Sequence, residues 1–469
     1  MRRIAQWAGL VGVAAAGLAA VSGNAAAADA AGGLGAVTGV HQDGATFTLD
    51  AGKARVRVVF LRDDVFRLWV APDGDFTDPA KSPPSKPGDP AANIVVKKDY
   101  PQPRTWLRQD GSSYRIGTGK ISVEVRKDPA LFSVRRADGS LVWAETKPLS
   151  WDGKSTTQTL AEGPDEQFVG GGEQNGSFSH RGKTVQVGVD YNWDEGGHPN
   201  SVPYYASTSG YGVLRDTFAP GSYAFTNPVA ATHEENRFDA FYFVAPKKDD
   251  LKTPLDRYTE LTGRPFMPPM YGLELGDSDC YLHTANRGER HTLDALKVAD
   301  GYKQAGMPNG WMLVNDGYGC DYENLKETAQ GLQGRNMQLG LWTENGLSKL
   351  ADQVKAGQRV AKLDVAWVGD GYRFALSGCQ DAYDGIQANS DARGFTWAPE
   401  SWAGAQRCGV QWSGDQSGAM STPAGRCRPT RARRCRASPT RPAMWTAFSE
   451  AVPTPTRGTC SGRRSCLPR

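Results

Sequence analysis

Carboxylate side chains recur in the second half of this 469-residue chain, each at the end of a short apolar segment. Carboxylates can serve as nucleophile, general acid or general base. Two lie in distinctive surroundings, Asp364 in Lys-Leu-Asp-Val-Ala-Trp and Asp415 in Trp-Ser-Gly-Asp-Gln. The acids at the segment ends are Asp277, Asp316, Glu344, Asp364, Glu400 and Asp415.

Histidine-dependent chemistry is disfavoured, because all six histidines lie at or before His291. A Ser-His-Asp triad among the later segments needs a histidine from elsewhere, and no Gly-x-Ser-x-Gly turn accompanies them. The same shortage argues against a metal site. The run Gly170-Gly-Gly-Glu precedes no helix, which argues against a phosphate loop. We predict no metal and no cofactor. Carboxylates and aromatic side chains remain, and they are the groups that cleave glycosidic bonds.

Both distinctive acids also have structural explanations. An aspartate at a strand end often caps the following helix, which accounts for Asp364. An aspartate in a Ser-Gly-Asp turn often stabilises the turn, which accounts for Asp415. The residue pattern by itself leaves catalysis and structure open for both.

The elements that position these acids fall into two classes. From about Val37 to Val244 the sequence alternates in period two between turn signals, which predicts an all-β sandwich. After a helix predicted at 249–261 and the prolines at 265, 268 and 269, strands and helices alternate. Such repeats predict a parallel sheet with acids at the carboxyl ends of its strands, as in a (β/α)8 barrel. The strand candidates before residue 418 start at 270, 310, 338, 361, 394 and 409, so the predicted barrel is incomplete.

The N-terminus predicts an export signal. Met1-Arg2-Arg3 supplies positive charge, an apolar stretch follows, and small residues precede Asp29. A retained membrane anchor is the alternative. The predicted domains are a signal peptide at 1–28, a β-sandwich at 29–265, a partial barrel at 266–418 and an aberrant tail at 419–469. We expect a secreted, extracellular protein, in which the cysteines at 280, 320, 379 and 408 can pair, although sequence does not identify the pairs.

Several motifs together resemble glycoside hydrolase family 31. Their order and spacing, rather than any one of them, carry the likeness over residues 37–418. They are Pro203-Tyr-Tyr-Ala-Ser-Thr-Ser-Gly, Arg257-Tyr-Thr-Glu-Leu-Thr-Gly-Arg-Pro-Phe-Met-Pro-Pro, Trp311-Met-Leu-Val-Asn-Asp316, Lys362-Leu-Asp364 and Trp412-Ser-Gly-Asp415.

The resemblance implies a retaining α-glycoside hydrolase with a galactose-mutarotase-like N-terminal sandwich. Asp364 is then the nucleophile and Asp415 the acid/base. The implied partner is an α-linked oligo- or polysaccharide, with no nucleic acid and no membrane after signal cleavage. The substrate-binding candidates are Asp316, Asp277, Trp342, Trp367, Glu400, Arg407, Trp412 and Asp194, the last from a sandwich loop.

Two departures from the family pattern leave the substrate open. The nucleophile strand continues Val-Ala-Trp367 where Met-Asn-Glu is usual, and Ala398-Pro-Glu400-Ser stands where Thr-Arg-Ser is usual. An acid in place of an arginine replaces hydrogen-bond donors with acceptors and changes which sugar fits. α-Galactoside, α-N-acetylgalactosaminide and glucosyl-transfer activities are as open as α-glucosidase activity. A non-catalytic carbohydrate-binding protein is the alternative from another functional class.

The composition changes abruptly after Gly418. Residues 419–469 contain 11 Arg, no Lys and the single acid Glu450, a net charge of +10, so residues 1–418 carry 3 − 10 = −7. The acidic body does not indicate nucleic-acid binding. The tail is either a disordered basic segment or the product of a frameshift. Read from the third base, GC-rich codons for the segment from Pro442 can encode Gly-Asp-Val-Asp-Gly-Ile-Phe-Gly-Gly, similar to a family strand, and we favour the frameshift.

Overall fold

A computed structural model describes residues 31–81, 93–174, 176–188, 200–282, 291–317, 319–343, 346–363, 372–398 and 402–411. The first part is all β, as the period-two alternation predicts. Its strands are β1 Gly32–Gly33, β2 Gly39–Asp43, β3 Thr46–Ala51, β4 Ala54–Arg62, β5 Val65–Ala71, β6 Trp106–Gln109, β7 Ser113–Gly117, β8 Ile121–Lys127, β9 Ala130–Arg136, β10 Leu141–Trp151, β11 Thr156–Leu160, β12 Phe168–Glu173, β13 Thr184–Val187, β14 Asn200–Ser207, β15 Tyr211–Arg215, β16 Gly221–Ala224, β17 Val229–His233 and β18 Phe238–Val244.

These strands form two antiparallel sheets. One has the order β13-β16-β17-β11-β10-β9-β8-β7-β6, with β1 beside β10, and the other has the order β12-β14-β15-β18-β5-β4-β3-β2. Their apolar faces share one core. Aromatic rings join the sheets: Trp143 lies 5.0 Å from Tyr242, and Tyr205 lies 5.1 Å from Tyr223, between ring centroids. The sandwich is therefore held mainly by burial of large side chains, each contributing roughly 1.5–3 kcal/mol.

The second part alternates strands with helices. Helix α1, Lys252–Thr262, ends the sandwich. The remaining helices are α2 Ala295–Gln304, α3 Leu325–Gln333, α4 Leu350–Ala356 and α5 Tyr372–Ala388. The strands are β19 Leu275–Ser278, β20 Asn309–Leu313, β21 Gln338–Thr343, β22 Gln358–Leu363, β23 Phe395–Ala398 and β24 Gly409–Gln411.

All neighbouring pairs from β19 to β24 are parallel and follow chain order. The six predicted strands are thus present as one sheet, and the described residues do not extend to an eight-stranded barrel. Short 3-10 turns lie at Met270–Leu273, Thr292–Asp294 and Ala405–Arg407. Within the described residues, no helix combines the length and apolarity needed to cross a membrane.

One predicted strand boundary is wrong. The sequence predicts a strand over 270–275, but residues Met270–Leu273 form the 3-10 turn and the strand begins at Leu275. Gly272 N donates to Pro269 O, and Glu274 N donates to Tyr271 O. These local bonds use backbone groups that a sheet ladder needs. Gly310 packs directly against Tyr271 O, where a Cβ would clash.

The two faces of the parallel sheet differ in chemistry. Helices α2 to α5 pack on one face, against residues such as Met312, Leu341 and Ala361. The other face carries Trp311, Leu313, Trp342, Val360, Phe395 and Trp397. Because alternate residues of a strand lie on the same face, Val360 and Lys362 of β22 both lie on this aromatic face.

Candidate active site at the carboxyl ends of the parallel strands

Asp316 lies in a buried ion pair. Its side chain is 8% exposed and that of Lys362 is 4% exposed. Lys362 Nζ donates to Asp316 Oδ1 over 2.8 Å, and Ser278 Oγ donates to Asp316 Oδ2. Strand β22 supplies the lysine, strand β19 supplies the serine, and the aspartate follows β20. Three strands thereby bring their ends to one carboxylate, as the parallel arrangement predicts.

Indole rings flank the lysine. Lys362 Nζ lies 5.3 Å from the ring centre of Trp397 and 5.9 Å from that of Trp342. Both tryptophans are almost fully buried. Taking a lysine out of water costs several kcal/mol, which the Asp316 carboxylate and the negative faces of the indoles offset. Within the described residues, the aromatic face therefore carries a buried charged pair within an apolar wall.

Backbone bonds hold Asp316 at this position. Asp279 N donates to Leu313 O over 3.0 Å, and Asp316 N donates to Asp279 O over 3.2 Å. A disulfide between Cys280 and Cys320 joins the same two loops. The loop after β19 and the loop after β20 are therefore tied on both sides of the aspartate.

The neighbouring Asn315 fixes strand β21 against this loop. Trp342 N donates to Asn315 Oδ1 over 2.7 Å, and Asn315 Nδ2 donates to Trp342 O over 3.2 Å. The asparagine side chain thus makes the two hydrogen bonds to the Trp342 backbone that a neighbouring strand would otherwise make. These two bonds hold Trp342, a predicted substrate-binding residue, against the residue that precedes Asp316.

Asp277 lies in β19 and is 3% exposed. Its carboxylate accepts from Ser278 N over 2.9 Å and from Tyr281 Oη over 3.4 Å. In the register of β19 with β20, Asp277 pairs with Met312 of the helix-covered face, whereas Ser278 pairs with Leu313 of the aromatic face and contacts Asp316. The substrate-binding role of Asp277 stays a prediction.

The structure corrects the role predicted for Arg407. Its Nη1 donates to Thr262 O over 3.0 Å, its Nη2 donates to Asn93 O over 2.9 Å, and its Nε donates to Gln380 Oε1 over 3.0 Å. All three nitrogens serve acceptors of the protein itself. Arg407 therefore joins the sandwich, helix α1 and helix α5, and is not brought to the Asp316 region.

The other predicted site residues lie outside the described residues. Asp364 directly follows strand β22, and Asp415 follows the end of β24 by four residues. Their proposed roles are untested by the geometry. The predicted site residues that lie outside the described residues are Asp364, Asp415, Trp367, Glu400, Trp412 and Asp194.

Lys362, Ser278 and Trp397 were not predicted as site residues. Lys362 carried a usable signal: a lysine inside an apolar strand, two positions before an acid, is rarely buried unless it is paired. Ser278 and Trp397 carried none that separates them from ordinary strand residues. Their proximity to Asp316 depends on strand register.

A second charged cluster lies in the sandwich. Asp78, Asp216 and Asp239 place carboxylate oxygens within 4.8 Å of one another. Arg67 donates to Asp239 through Nε over 2.7 Å and through Nη2. Burial raises the pKa of Asp239, and although burial opposes it, the neighbouring carboxylates hold the pKa of Arg67 above its usual range. The guanidinium thus takes the place that a cation would fill.

Comparison with known proteins agrees with this architecture. Residues 55–223 match the family model described as the glycosyl hydrolase 31 N-terminal galactose mutarotase-like domain. The chain is 29% identical over 305 residues to an α-xylosidase from Emericella nidulans, covering 54% of this chain and 37% of that protein. It is 24% identical over 264 residues to an isomaltosyltransferase from Sporosarcina globispora, covering 51% and 21%.

A solved structure has the same fold. The family 31 dextranase of Flavobacterium johnsoniae, complexed with isomaltotriose, superposes with a TM-score of 0.69 at 15% identity, over 83% of this chain and 58% of that one. The chain spans well under half the length of the two curated relatives. Residues 55–223 thus match a family 31 N-terminal domain, about half of the chain is similar to an α-xylosidase, and the solved structure shows a shared fold; together they show a likeness to glycoside hydrolase family 31.

Proposed function

We propose that this protein is a retaining α-glycoside hydrolase with Asp364 as nucleophile and Asp415 as acid/base. The observation that carries the proposal is the buried Lys362–Asp316 pair between two indoles. The pair lies at the carboxyl ends of parallel strands, and Asp364 is the residue that follows strand β22. We also propose that the six strands belong to a (β/α)8 barrel, in which such strand ends form the active site.

The reaction proceeds in two displacements. Asp364 attacks the anomeric carbon, the glycosidic C–O bond breaks, and Asp415 donates its proton to the departing oxygen. Asp415 then removes a proton from water, whose oxygen attacks the anomeric carbon and releases Asp364. Each displacement inverts the anomeric centre, so the product keeps the α configuration.

The described residues have supporting roles in this proposal. Asp316 accepts hydrogen bonds from sugar hydroxyls, and Lys362 offsets the negative charge that Asp316 and Asp364 bring to one site. Trp342 and Trp397 form apolar walls against the carbon faces of the sugar. Asp277, Trp367, Trp412, Glu400 and Asp194 are proposed to complete the substrate site.

The substrate is proposed to be an α-linked oligo- or polysaccharide. An α-xylosidase and an isomaltosyltransferase among the relatives, and a dextranase that binds isomaltotriose, favour this class. The acid Glu400 at a position usual for arginine favours a sugar that offers donors there. The isomaltosyltransferase likeness also favours transfer to a second sugar as the alternative outcome of the glycosyl-enzyme intermediate. A non-catalytic, carbohydrate-binding protein is the other alternative.

Export from the cell is proposed as well. The N-terminal residues have the composition of a signal peptide, and two described disulfides, Cys280–Cys320 and Cys379–Cys408, fit an oxidising compartment. Mass spectrometry of secreted protein would show a start near Asp29 if the proposal holds, and an intact Met1 would contradict it.

The function is tested with nitrophenyl α-glycosides of xylose, glucose, galactose and N-acetylgalactosamine. Turnover of at least one substrate is expected from the protein whose reading frame is restored after Gly418. Proton NMR of the first product then gives the stereochemistry, and an α anomer is expected. A β anomer refutes the retaining mechanism, and binding without turnover supports the non-catalytic alternative.

A further inference from the structure

Strand β19 carries Ser278 to Asp316, and the described sheet holds this strand on one side only. β19 pairs with β20, and their register shifts between Leu275 and Gly276. The strand has four residues, and a short strand at a sheet edge opens more easily than one held on both sides. The contact of Ser278 Oγ with Asp316 Oδ2 therefore depends on what holds the chain beyond the two strand ends.

The chain after Asp316 turns through two glycines. Gly317 and Gly319 have φ angles of 152° and 69°, and Cys320 N donates to Gly317 O over 3.1 Å. Glycine loses more conformational freedom on folding than any other residue, so an unrestrained turn of this kind has many open states. A tie at the far end of this turn excludes many of those states.

A disulfide supplies that tie. Cys280 lies two positions after Ser278, and Cys320 lies four positions after Asp316. Their sulfur atoms are bonded, and both residues are almost fully buried. The covalent bond thus joins the chain just beyond each member of the Ser278–Asp316 contact, and it restricts the states in which the two loops separate.

Two of the hydrogen bonds to Asp316 depend on the same pair of loops. Ser278 Oγ and Asp279 O bond the aspartate from the β19 side, whereas Lys362 Nζ bonds it from β22. The first two bonds exist only while the loop after β19 lies against the loop after β20, and the disulfide joins these loops. Loss of the disulfide is therefore expected to weaken both bonds together and to leave Lys362 as the main restraint.

We propose that the Cys280–Cys320 disulfide positions Asp316, so that sugar binding at this aspartate is tight only in the oxidised protein. This inference rests on the proposed function, in which Asp316 accepts hydrogen bonds from sugar hydroxyls. Such bonds need the binding group to be placed within about 0.5 Å. Disulfides form in the oxidising environment outside the cell, so the enzyme gains its full substrate affinity on the proposed export.

Substitution of both cysteines in the frame-restored protein tests the role in binding. In Cys280→Ser with Cys320→Ser, KM is expected to rise about tenfold and kcat to fall less than about threefold. The reason is that a bond to a hydroxyl away from the reacting carbon is made in the ground state and the transition state alike. The matched control is Cys379→Ser with Cys408→Ser, which removes a disulfide from the apolar core between the sheet and helix α5.

The control separates positioning from stability. Its Tm should also fall, because it too loses a covalent tie, but its KM should change less than about twofold. An unchanged KM in the variant without the Cys280–Cys320 bond, or an equal rise of KM in both variants, overturns the inference.

A double-mutant cycle tests whether the disulfide acts through Asp316. Asp316→Asn replaces the carboxylate with an amide and is expected to raise KM by itself. If the disulfide acts by placing the carboxylate, its removal from Asp316→Asn should raise KM further by about twofold at most. A further rise of about tenfold means that the disulfide acts elsewhere, and it overturns the inference.

Reduction gives the same test with Cys280 and Cys320 unsubstituted. Dithiothreitol breaks the S–S bond, leaves a thiol on each cysteine and itself becomes a cyclic disulfide. In the control variant it should raise KM about tenfold, and reoxidation by oxidised glutathione should restore the low value. An unchanged KM in protein whose two thiols titrate as reduced contradicts the inference.

Hydrogen exchange measures the positioning without turnover. The amides of Asp279 and Asp316 donate to Leu313 O and Asp279 O, respectively. Without the disulfide they should exchange at least about tenfold faster than in the control variant, because the loops open locally. Unchanged exchange overturns the inference. Absence of turnover in the unsubstituted protein contradicts the proposed function, whereas the exchange rates still decide whether the disulfide holds Asp316.

Discussion

At the scale of single residues, the charges at the strand ends determine what the site can do. Asp316 is buried, paired with Lys362 and bonded by Ser278, so its carboxylate is held in one orientation. Such preorganisation costs folding free energy and suits a group that orients a substrate.

Removing either acid should separate the two steps of the reaction. Asp364→Asn is expected to abolish most hydrolysis, because an amide does not form the glycosyl-enzyme ester. Asp415→Ala should be slow on phenyl substrates and be rescued by azide on an activated substrate, since azide needs no general base. Steady-state kinetics with product analysis for glycosyl azide measures both. Unsubstituted rates in Asp364→Asn would refute the assignment.

The buried pair should be strongly coupled. Lys362→Met leaves Asp316 without its cation, which is expected to cost about 3–5 kcal/mol of unfolding free energy in urea titrations. Removing both charges in Lys362→Met with Asp316→Leu should cost less than the single change. The control is Arg335→Met, which breaks a more exposed pair with Asp300 and should cost clearly less than Lys362→Met. Additive costs would contradict the coupling.

At the scale of elements, the sandwich buries polar groups between its sheets. Glu145 of β10 accepts from Gln158 Nε2 over 2.9 Å and from Phe132 N over 3.0 Å, and burial raises its pKa to about 8. His233 of β17 contacts Tyr223 Oη, and burial together with the charge of Arg215 lowers its pKa to about 3. Both side chains are therefore neutral inside the fold near pH 7.

Because of Glu145 the free energy of unfolding should fall on the alkaline side, and because of His233 it should fall on the acidic side. The unfolded chain loses the Glu145 proton near its usual pKa of 4.5, so stability should fall as pH rises from about 4.5 to 8. The unfolded chain protonates histidine near 6.5, so stability should fall as pH drops from about 6.5 to 3. Each group contributes a slope of at most about 1.4 kcal/mol per pH unit.

Glu145→Gln should flatten only the alkaline limb, because glutamine does not ionise. Its amide nitrogen cannot accept one of the two hydrogen bonds that Glu145 receives, so stability should also fall by a similar amount at every pH. Calorimetric Tm values between pH 4 and pH 9 measure the effect in the full chain with its frame restored after Gly418. The acidic limb assigned to His233 serves as the internal control. An alkaline limb that persists in Glu145→Gln would assign it to other groups.

At the scale of the whole molecule, the question is whether residues 419–469 belong to this fold. They lie outside the described residues, and their Arg-rich composition, with seven Pro, lacks the alternation that continues a sheet. We propose that they are out of frame. Strands β19 and β24 end the described sheet, and an open parallel edge leaves backbone groups unpaired.

The chain as printed is expected to be poorly soluble, protease-sensitive after about residue 265, and inactive. Restoring the frame after Gly418 should yield a stable, active enzyme, because added strands would close the proposed barrel. Incomplete closure should cost more than the roughly 5–15 kcal/mol that stabilises a domain. Limited proteolysis and turnover of both forms measure the difference. A monodisperse and active printed chain would contradict the frameshift proposal.

The sequence by itself determined the two classes of architecture and the strand-end acids. Apolar residues at every second position predicted the sandwich strands, and strand patterns alternating with helix patterns predicted the parallel sheet. Both patterns arise because burying one face of a strand or helix requires apolar residues at a period of 2 or 3.6. Tertiary structure decided what periodicity does not encode. Register brought Ser278, Lys362 and Trp397 to Asp316, local turn bonds displaced the start of β19, and contacts with Asn93 and Thr262 made Arg407 a link between domains. Those outcomes depend on which distant backbone groups meet, and only the folded chain specifies that.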